Sequence, residues 1–397
     1  MKHLLHHLIK LYLFFGFLAA FALAEANNPP AYQGCRDSCT GVWDTVGFRM
    51  DLLYWRSSVD QLALGSEETV TPIPSSGIIT YVVDKSYVKR PGFNFNPGFR
   101  LGVNQICPCK GWNVALNWTH YHNKASLSGD SAGLGGLTVD SITMPTTQYT
   151  LFIPYWERAV GVIPDEVSGH WTFDVDFVDI ELGYKYFVSS CTTLRPYLGL
   201  RGARVNQGFH VESSAYRTEA STTLIGPVSL YQSFVKARNE FLAIGPRIGC
   251  GLELDLGYGF SLVGEAAGSF LFGRARKNAY ENFYGAVNGT APVVPTAPFM
   301  YEGNGTRDGS LRVVSDLALG VKWNYCLYYC NQYYPLVVAV LWEHHGFYGF
   351  NQFEFNSNAY TVETASGASP FVGGTPNRQP NGDIFTQGLT VAVNVGF

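Results

Sequence analysis

The alternation between Phe385 and Phe397 constrains the fold more than any other stretch of the chain. Counting back from the last residue, Phe397, Val395, Val393, Val391 and Leu389 are large and apolar, while Gly396, Asn394, Ala392, Thr390 and Gly388 between them are small or polar. A period of two marks a strand with one apolar face and one wet face. On an open soluble sandwich this strand would leave a long edge with no charge, proline or bulge to block it. In a closed sheet both its edges are paired, and only a closed sheet satisfies every backbone N–H and C=O group in hydrocarbon. The stretch therefore predicts the closing strand of a transmembrane β-barrel.

Composition agrees. Charged residues make up 15% of the chain, against ~25% in soluble domains, and aromatic residues another 15%, with 43 glycines. Lys2 and Lys10, the apolar run Leu11 to Leu23 and the small-x-small site Ala22-Leu23-Ala24 read as a secretory signal peptide, residues 1–24, cut before Glu25. Past it, no apolar run approaches the ~20 residues that a membrane helix needs. Loss of Lys2 and Lys10 moves the formal charge from -4 to -6, which gives no reason to expect nucleic acid as a partner. Residues 25–44 read as a periplasmic lead, and residues 45–397 as a single barrel.

The same two-residue period recurs along the chain. Val46, Phe48, Met50, Leu52 and Tyr54 alternate with Gly47, Arg49 and Asp51 between Thr45 and Arg56. Phe99, Leu101 and Val103 follow, then Trp112, Val114, Leu116 and Trp118. In the fourth strand Phe173, Val175 and Phe177 are expected outside and Asp174 and Asp176 inside. Val178, Ile180, Leu182, Tyr184 and Tyr186 then take the outer phase, so a β-bulge is expected at Phe177-Val178. Leu194, Pro196, Leu198 and Leu200 form the fifth strand, Ile244 to Leu254 the sixth, Phe260 to Phe272 the seventh, Leu317 to Tyr325 the eighth and Leu336 to Trp342 the ninth. Long connections near 57–90, 123–169, 206–236, 274–310 and 344–382 alternate with short turns. That is the pattern of an antiparallel up-and-down barrel with short periplasmic turns and long external loops. The expectation is all-β, with about 10 strands and room for up to about 16, since Tyr149 to Trp156 and Pro227 to Val235 could each add to the count. Tyr54 and Trp55, Trp112 and Trp118, Tyr184 and Tyr186, Trp323 and Tyr325, and Phe385 and Phe397 sit near strand ends, as interfacial girdles do.

The inward phase then carries Arg49, Asp51, Arg100, Asp174, Asp176, Glu181, Lys185, Arg195, Arg201, Arg247, Glu253, Glu265, Asp316 and Lys322. Rings of charge of this kind line wet channels. The competing reading pairs them into salt bridges that fill a narrow barrel, since a barrel of about eight strands is already narrow enough for side chains to fill. Cys35, Cys39, Cys107, Cys109, Cys191, Cys326 and Cys330 all map to the periplasmic side, and Cys250 to the outer phase of the sixth strand. In an exported protein these thiols are candidates for disulfides, within the chain or to neighbours, although a Cys107–Cys109 bridge would be strained.

No motif points to catalysis, a metal or a cofactor. His344 and His345 are adjacent, so they fall on opposite faces of a strand and cannot ligate together; with His120 and His122 they read as surface residues at a loop base. Gly257-Tyr258-Gly259 reads as a hairpin turn and not a phosphate loop. A barrel enzyme would need a convergent Asp/His or Ser/His set at the loop end, and none stands out.

Asp51-Leu52-Leu53-Tyr54-Trp55, the run Leu194-Arg195-Pro196-Tyr197-Leu198-Gly199-Leu200-Arg201 and the terminal Phe397 together resemble the Legionella-type major outer membrane protein family, to which pore-forming proteins of chlamydia-like bacteria are related. The resemblance runs from about Thr45 to the end of the chain. It implies a porin of a Gram-negative outer membrane, passing small hydrophilic solutes or ions, with outer-membrane lipid as its surroundings. Leu389, Val391, Val393, Val395 and Phe397 are similar to the signal read by the barrel-assembly machinery. Chlamydial outer membrane proteins use disulfide networks for envelope rigidity, which implies the alternative of a structural or adhesive surface barrel.

Overall fold

The computed structural model describes residues 45–75, 78–107, 112–131, 149–154, 156, 164–216, 228–287, 301–329, 332–353 and 382–396. The expected signal peptide and lead lie outside the described residues, with Cys35, Cys39, Cys109 and Cys330.

In chain order the strands are β1 (Thr45–Val59), β2 (Gly65–Ser75), β3 (Ile78–Lys89), β4 (Phe95–Cys107), β5 (Trp112–Asp130), β6 (Tyr149–Pro154), β7 (Glu166–Tyr184), β8 (Tyr186–Phe187), β9 (Thr192–Tyr216), β10 (Val228–Gly257), β11 (Phe260–Val287), β12 (Tyr301–Tyr329), β13 (Gln332–Asn351) and β14 (Gly382–Gly396). Ten of them, β1, β4, β5, β7 and β9 to β14, form a closed antiparallel barrel in which each pairs with its neighbour in the chain. The circle closes where β1 meets β14 in one unbroken register, from Gly47↔Gly396 to Val59↔Ile384. β2, β3 and β6 make a separate sheet in the order β3-β2-β6. The segment at Tyr149 thus adds a strand, but not to the barrel, and the segment at Pro227 contributes the start of β10.

The outward phase of the lower barrel is apolar, as expected. Phe48, Met50, Leu52, Trp112, Val114, Ile180, Leu200, Ile244, Ile248, Val340 and Trp342 are all exposed on the outer surface. These side chains face hydrocarbon, so their exposure to solvent in isolation is the condition for membrane residence. At the short-turn end, Trp112 meets Tyr184 (ring centroids 5.1 Å apart) and Trp323 meets Tyr325 (5.2 Å), consistent with an interfacial girdle. Trp55 does not belong to it. Its side chain is buried inside the barrel, because it lies in phase with Asp51 and Leu53.

The strands are far longer than a membrane requires. β10 has 30 residues, β12 has 29 and β11 has 28, whereas about 9–11 tilted residues cross the hydrocarbon. Much of what the sequence suggests as long loops is therefore strand: β5 runs on to Asp130, β7 begins at Glu166, and β13 continues through His344 to Asn351.

The extension explains the fourth strand. The expected bulge at Phe177-Val178 is absent: β7 keeps an unshifted register with both β5 and β9 across that point. Side chains alternate without a break, and it is the chemistry of the faces that inverts. Below Phe177 the outer residues Val178, Ile180 and Leu182 meet lipid and the inner ones are Asp179 and Glu181. Above it the outer residues are Asp176, Asp174 and Thr172, and Phe177, Val175, Phe173 and Trp171 are buried inside. Outside the bilayer the outer surface meets water and the interior becomes an ordinary apolar core. The small sheet packs on that core. Leu62 and Leu64, just before β2, and Phe152 on β6 are fully buried in one cluster with Trp171, Phe173, Phe209, Phe347 and Phe353. Trp156 lies 4.4 Å from the Phe209 ring and donates its indole N–H to the Ala63 carbonyl at 2.5 Å.

Candidate functional site

Three tiers fill the barrel from the short-turn end upward. The lowest is open to water. Lys322 of β12 and Glu253 of β10 pair at 2.5 Å with their side chains 20% and 33% exposed, and Glu265 of β11 is 40% exposed. Asn104 and Asn394 meet beneath the seam at 3.1 Å. Lys185 follows the end of β7.

The middle tier is a packed belt of charge. Asp51 is fully buried and accepts from Arg49 (2.8 Å) and Arg100 (2.9 Å). Arg100 turns its other edge to Glu343 on β13, donating at 3.1 and 2.9 Å, and its Nε to Thr119 at 3.0 Å. His345 bridges Glu343 (3.2 Å) to Asp316 (2.7 Å) while its ring lies 4.4 Å from Trp55. Trp55 in turn donates its indole N–H to Thr390 of the closing strand at 3.1 Å. Asp316 also accepts from Arg247 and from Arg201 (2.8 Å). Arg201 grips Asp179 with two bonds of 2.6 and 2.8 Å, and Arg247 reaches Glu181 at 3.2 Å. Arg195 joins Glu181 at 3.3 Å, and the Tyr197 hydroxyl donates to Glu265 at 2.5 Å.

Two kinds of contact build this belt. Asp51 with Arg100, Asp179 with Arg201, and Asp316 with His345 are directly opposed across neighbouring strands. Arg100–Glu343 and Arg201–Asp316 instead reach between strands that have two others between them. Those ties cross the interior. The side chains involved are 14% exposed or less, so at this level they pack against one another and not against water. The upper tier is the aromatic core under the small sheet.

The structure places the sequence-expected residues as follows. Arg49, Asp51, Arg100, Glu181, Arg195, Arg201, Arg247, Glu253, Glu265, Asp316 and Lys322 project into the barrel. Asp174 and Asp176 do not, which corrects the expectation that followed from the supposed bulge. They lie on the outer face, bonded to His122 (2.6 Å) and His120 (2.8 Å) of β5. His345 is also corrected, from a surface residue to a buried centre of the belt; its neighbour His344 takes the outer phase, stacked on Phe385 at 5.8 Å. Glu343, Asp179 and Trp55 were not singled out as site residues. Glu343 and Asp179 continue the inner phase of their strands, and that phase alone could have found them. Cys191 and Cys250 are free thiols, Cys107 and Cys326 fall on strand ends, and the remaining cysteines of the expected periplasmic set lie outside the described residues.

A closed ten-stranded sheet, lipid-facing apolar below and charge-filled within, defines a transmembrane β-barrel of the outer-membrane type. The family described as Legionella pneumophila major outer membrane protein precursor matches residues 39–391, and the chain belongs to it. Its site of action is the outer membrane. No curated protein matches the chain. Among solved structures, the outer membrane protease OmpT from Escherichia coli is 10% identical over 89% of this chain and 97% of its own, with a TM-score of 0.38. The toluene transporter TbuX of Ralstonia pickettii is 8% identical over 89% of this chain and 90% of its own (TM-score 0.20). The toluene transporter TodX of Pseudomonas putida is 8% identical over 89% of both chains (TM-score 0.19). Likeness at this level carries no argument about activity.

Proposed function

We propose that this barrel is a porin for small hydrophilic solutes, not an enzyme, and that its charged belt is the constriction. The observation that supports this reading is the belt itself: at membrane level the interior is filled with acidic and basic side chains above a wet vestibule. Stability alone does not call for it, because buried ion pairs are often matched or bettered by apolar residues of the same volume. Charged groups at a constriction suit a path for water and ions, and the presence of both signs fits weak ion selectivity. The cross-barrel ties Arg100–Glu343 and Arg201–Asp316 close that path in the described state.

The closure itself favours a second reading, a plugged barrel that displays loops and strengthens the envelope, with the periplasmic cysteines available for cross-links. Planar-bilayer recordings on the refolded chain separate the two. The porin reading expects discrete ohmic steps, larger in Arg100→Ser/Glu343→Ser, which unties β4 from β13. Silence from both proteins, once shown to be folded and inserted, would sink it and leave the structural barrel. A step size that depends on reductant would in addition link the cysteines to the pore.

A further inference from the structure

On the outer face of β9 to β12 the surface changes character within one row of side chains. In register across the sheet, Leu200 with Pro246 and Phe270 with Val313 are apolar, and so are Ile244, Phe272 and Leu311 in the row above. The next row holds Arg204, Leu242 and Arg274. Beyond it come Asn206, Glu240 and Arg276, then Gly208, Arg238 and Asn278, then His210, Lys236 and Tyr280. Rows are about 7 Å apart, two residues along a strand. Arg204 and Arg274 therefore stand about 7 Å above the last apolar row, Arg276 about 14 Å, Arg238 about 20 Å and Lys236 about 27 Å, and all five are exposed.

The acids nearby are few and largely committed. Glu240 pairs with Arg238 (2.7 Å) and Asp308 of β12 with Arg274 (2.6 Å). Asp176 of β7, in register with Arg204, is held by His120 (2.8 Å), and Glu212 stands beside His210 (3.3 Å). Arg204, Lys236 and Arg276 have no ion-pair partner among the described residues. At the same height on β5 and β7 the outer face carries acids instead, Asp176 and Asp174, bonded to His120 and His122. Among the described residues the exposed cations gather on β9 to β11, whereas on β1 Arg56 stands singly, over the Phe95 ring.

We propose that this face of β9, β10 and β11 is a docking site for the phosphate-bearing headgroup of an anionic glycolipid in the external leaflet, whose acyl chains lie on Leu198, Leu200, Leu242, Ile244, Phe270 and Phe272. Three features select that occupant. The site begins where the lipid-facing surface ends, so headgroup and chains are accommodated together. Basic residues at such a boundary attract anionic lipid surfaces. Arginine also presents a planar fork that matches phosphate oxygens with two bonds. A protein partner would not require the apolar-to-cationic edge to coincide with the membrane boundary. The site is independent of whether the barrel conducts.

The test compares the refolded full chain with Arg204→Gln/Arg274→Gln/Arg276→Gln in nanodiscs of zwitterionic phospholipid doped with a bis-phosphorylated glycolipid or with its dephosphorylated form. Bound glycolipid is counted by native mass spectrometry after release from the disc. Each basic residue near an anionic lipid surface is worth about five-fold in binding, so the triple variant should retain the phosphorylated lipid roughly 100-fold less well. Lys124→Gln on β5, a cation on the side that carries Asp174 and Asp176, should change nothing. Millimolar inorganic phosphate should compete poorly, since it lacks the acyl chains. Equal retention by wild type and triple variant, or equal retention of the two glycolipids by wild type, would overturn the proposal. Full displacement by free phosphate would show a site for the soluble anion and overturn it too. Because all three residues are exposed and outward-facing, a folded variant is expected, and its heat-modifiable mobility on gels checks that directly.

Discussion

Arg201 offers the sharpest test of a packed, charged interior. Its side chain is 4% exposed, donates to Asp179 at 2.6 and 2.8 Å and to Asp316 at 2.8 Å, and sets its guanidinium 4.3 Å from the centre of the Phe177 ring. Arg201→Met keeps an apolar stem but removes every one of those bonds, together with the guanidinium over the Phe177 ring. Asp316 retains Arg247 and His345, whereas Asp179, 8% exposed, loses its two-pronged partner in a place largely closed to water. Removing one member of a buried pair costs about 3–5 kcal/mol, most of it the penalty on the charge left behind. A loss of 4 kcal/mol lowers the ratio of folded to unfolded barrel by about a thousand-fold. Removing that stranded charge as well, in Arg201→Met/Asp179→Leu, should return stability to within about 1 kcal/mol of the parent. The assay is reversible urea unfolding of the barrel in phospholipid vesicles, followed by tryptophan fluorescence. Single and double variants that unfold at the same urea concentration would refute the reasoning, because they would mean that Asp179 is solvated without Arg201 and that the belt is wet.

Three further outcomes follow from the geometry. Gly388→Val should abolish the heat-modifiable folded band, because a Cβ at Gly388 meets the Tyr54 carbonyl oxygen and comes within 2.7 Å of the Trp55 Cα at the closing seam; a normal band would show that the seam has slack. Trp171→Ala, which empties a fully buried site packed on Phe93 and Phe173, should cost about 3–5 kcal/mol in the same urea assay, and a loss under about 1 kcal/mol would place that ring in water. Asp174→Asn/Asp176→Asn should leave any single-channel conductance and ion preference unchanged because both residues face outward, whereas a shift in preference would return them to the interior.

The membrane-spanning part was legible because lipid imposes one rule on every strand: the outer phase must be apolar. Phe48, Met50 and Leu52, or Ile244 and Ile248, announce themselves with no knowledge of the partner strands. The extension was not legible by that rule, because above the bilayer the rule reverses. Phe173, Val175 and Phe177 look like lipid-facing residues and are core residues, and a bulge is the explanation that keeps the lipid rule intact. The signal that distinguishes the two is polar residues in step with the lipid face: Asp176, Asp174 and Thr172 continue the phase of Val178 and Ile180. The belt was legible as a set of charges but not as a circuit. That Arg100 would find Glu343, and Arg201 Asp316, depends on which strands face each other across the closed interior, and strand alternation carries no such information.

The seam between β1 and β14 has a consequence for biogenesis. The indole of Trp55 is tied to Thr390, 335 residues later in the chain, and the register on either side of that bond joins the first barrel strand to the last. Until β14 arrives, both β1 and β13 present bare edges, and loop closure of that length is the slowest kind of contact to make. A chain translated or exported only in part has no way to hide those edges. Closure therefore acts as a checkpoint on completeness: the molecule becomes protected from its neighbours only when the whole of it is present.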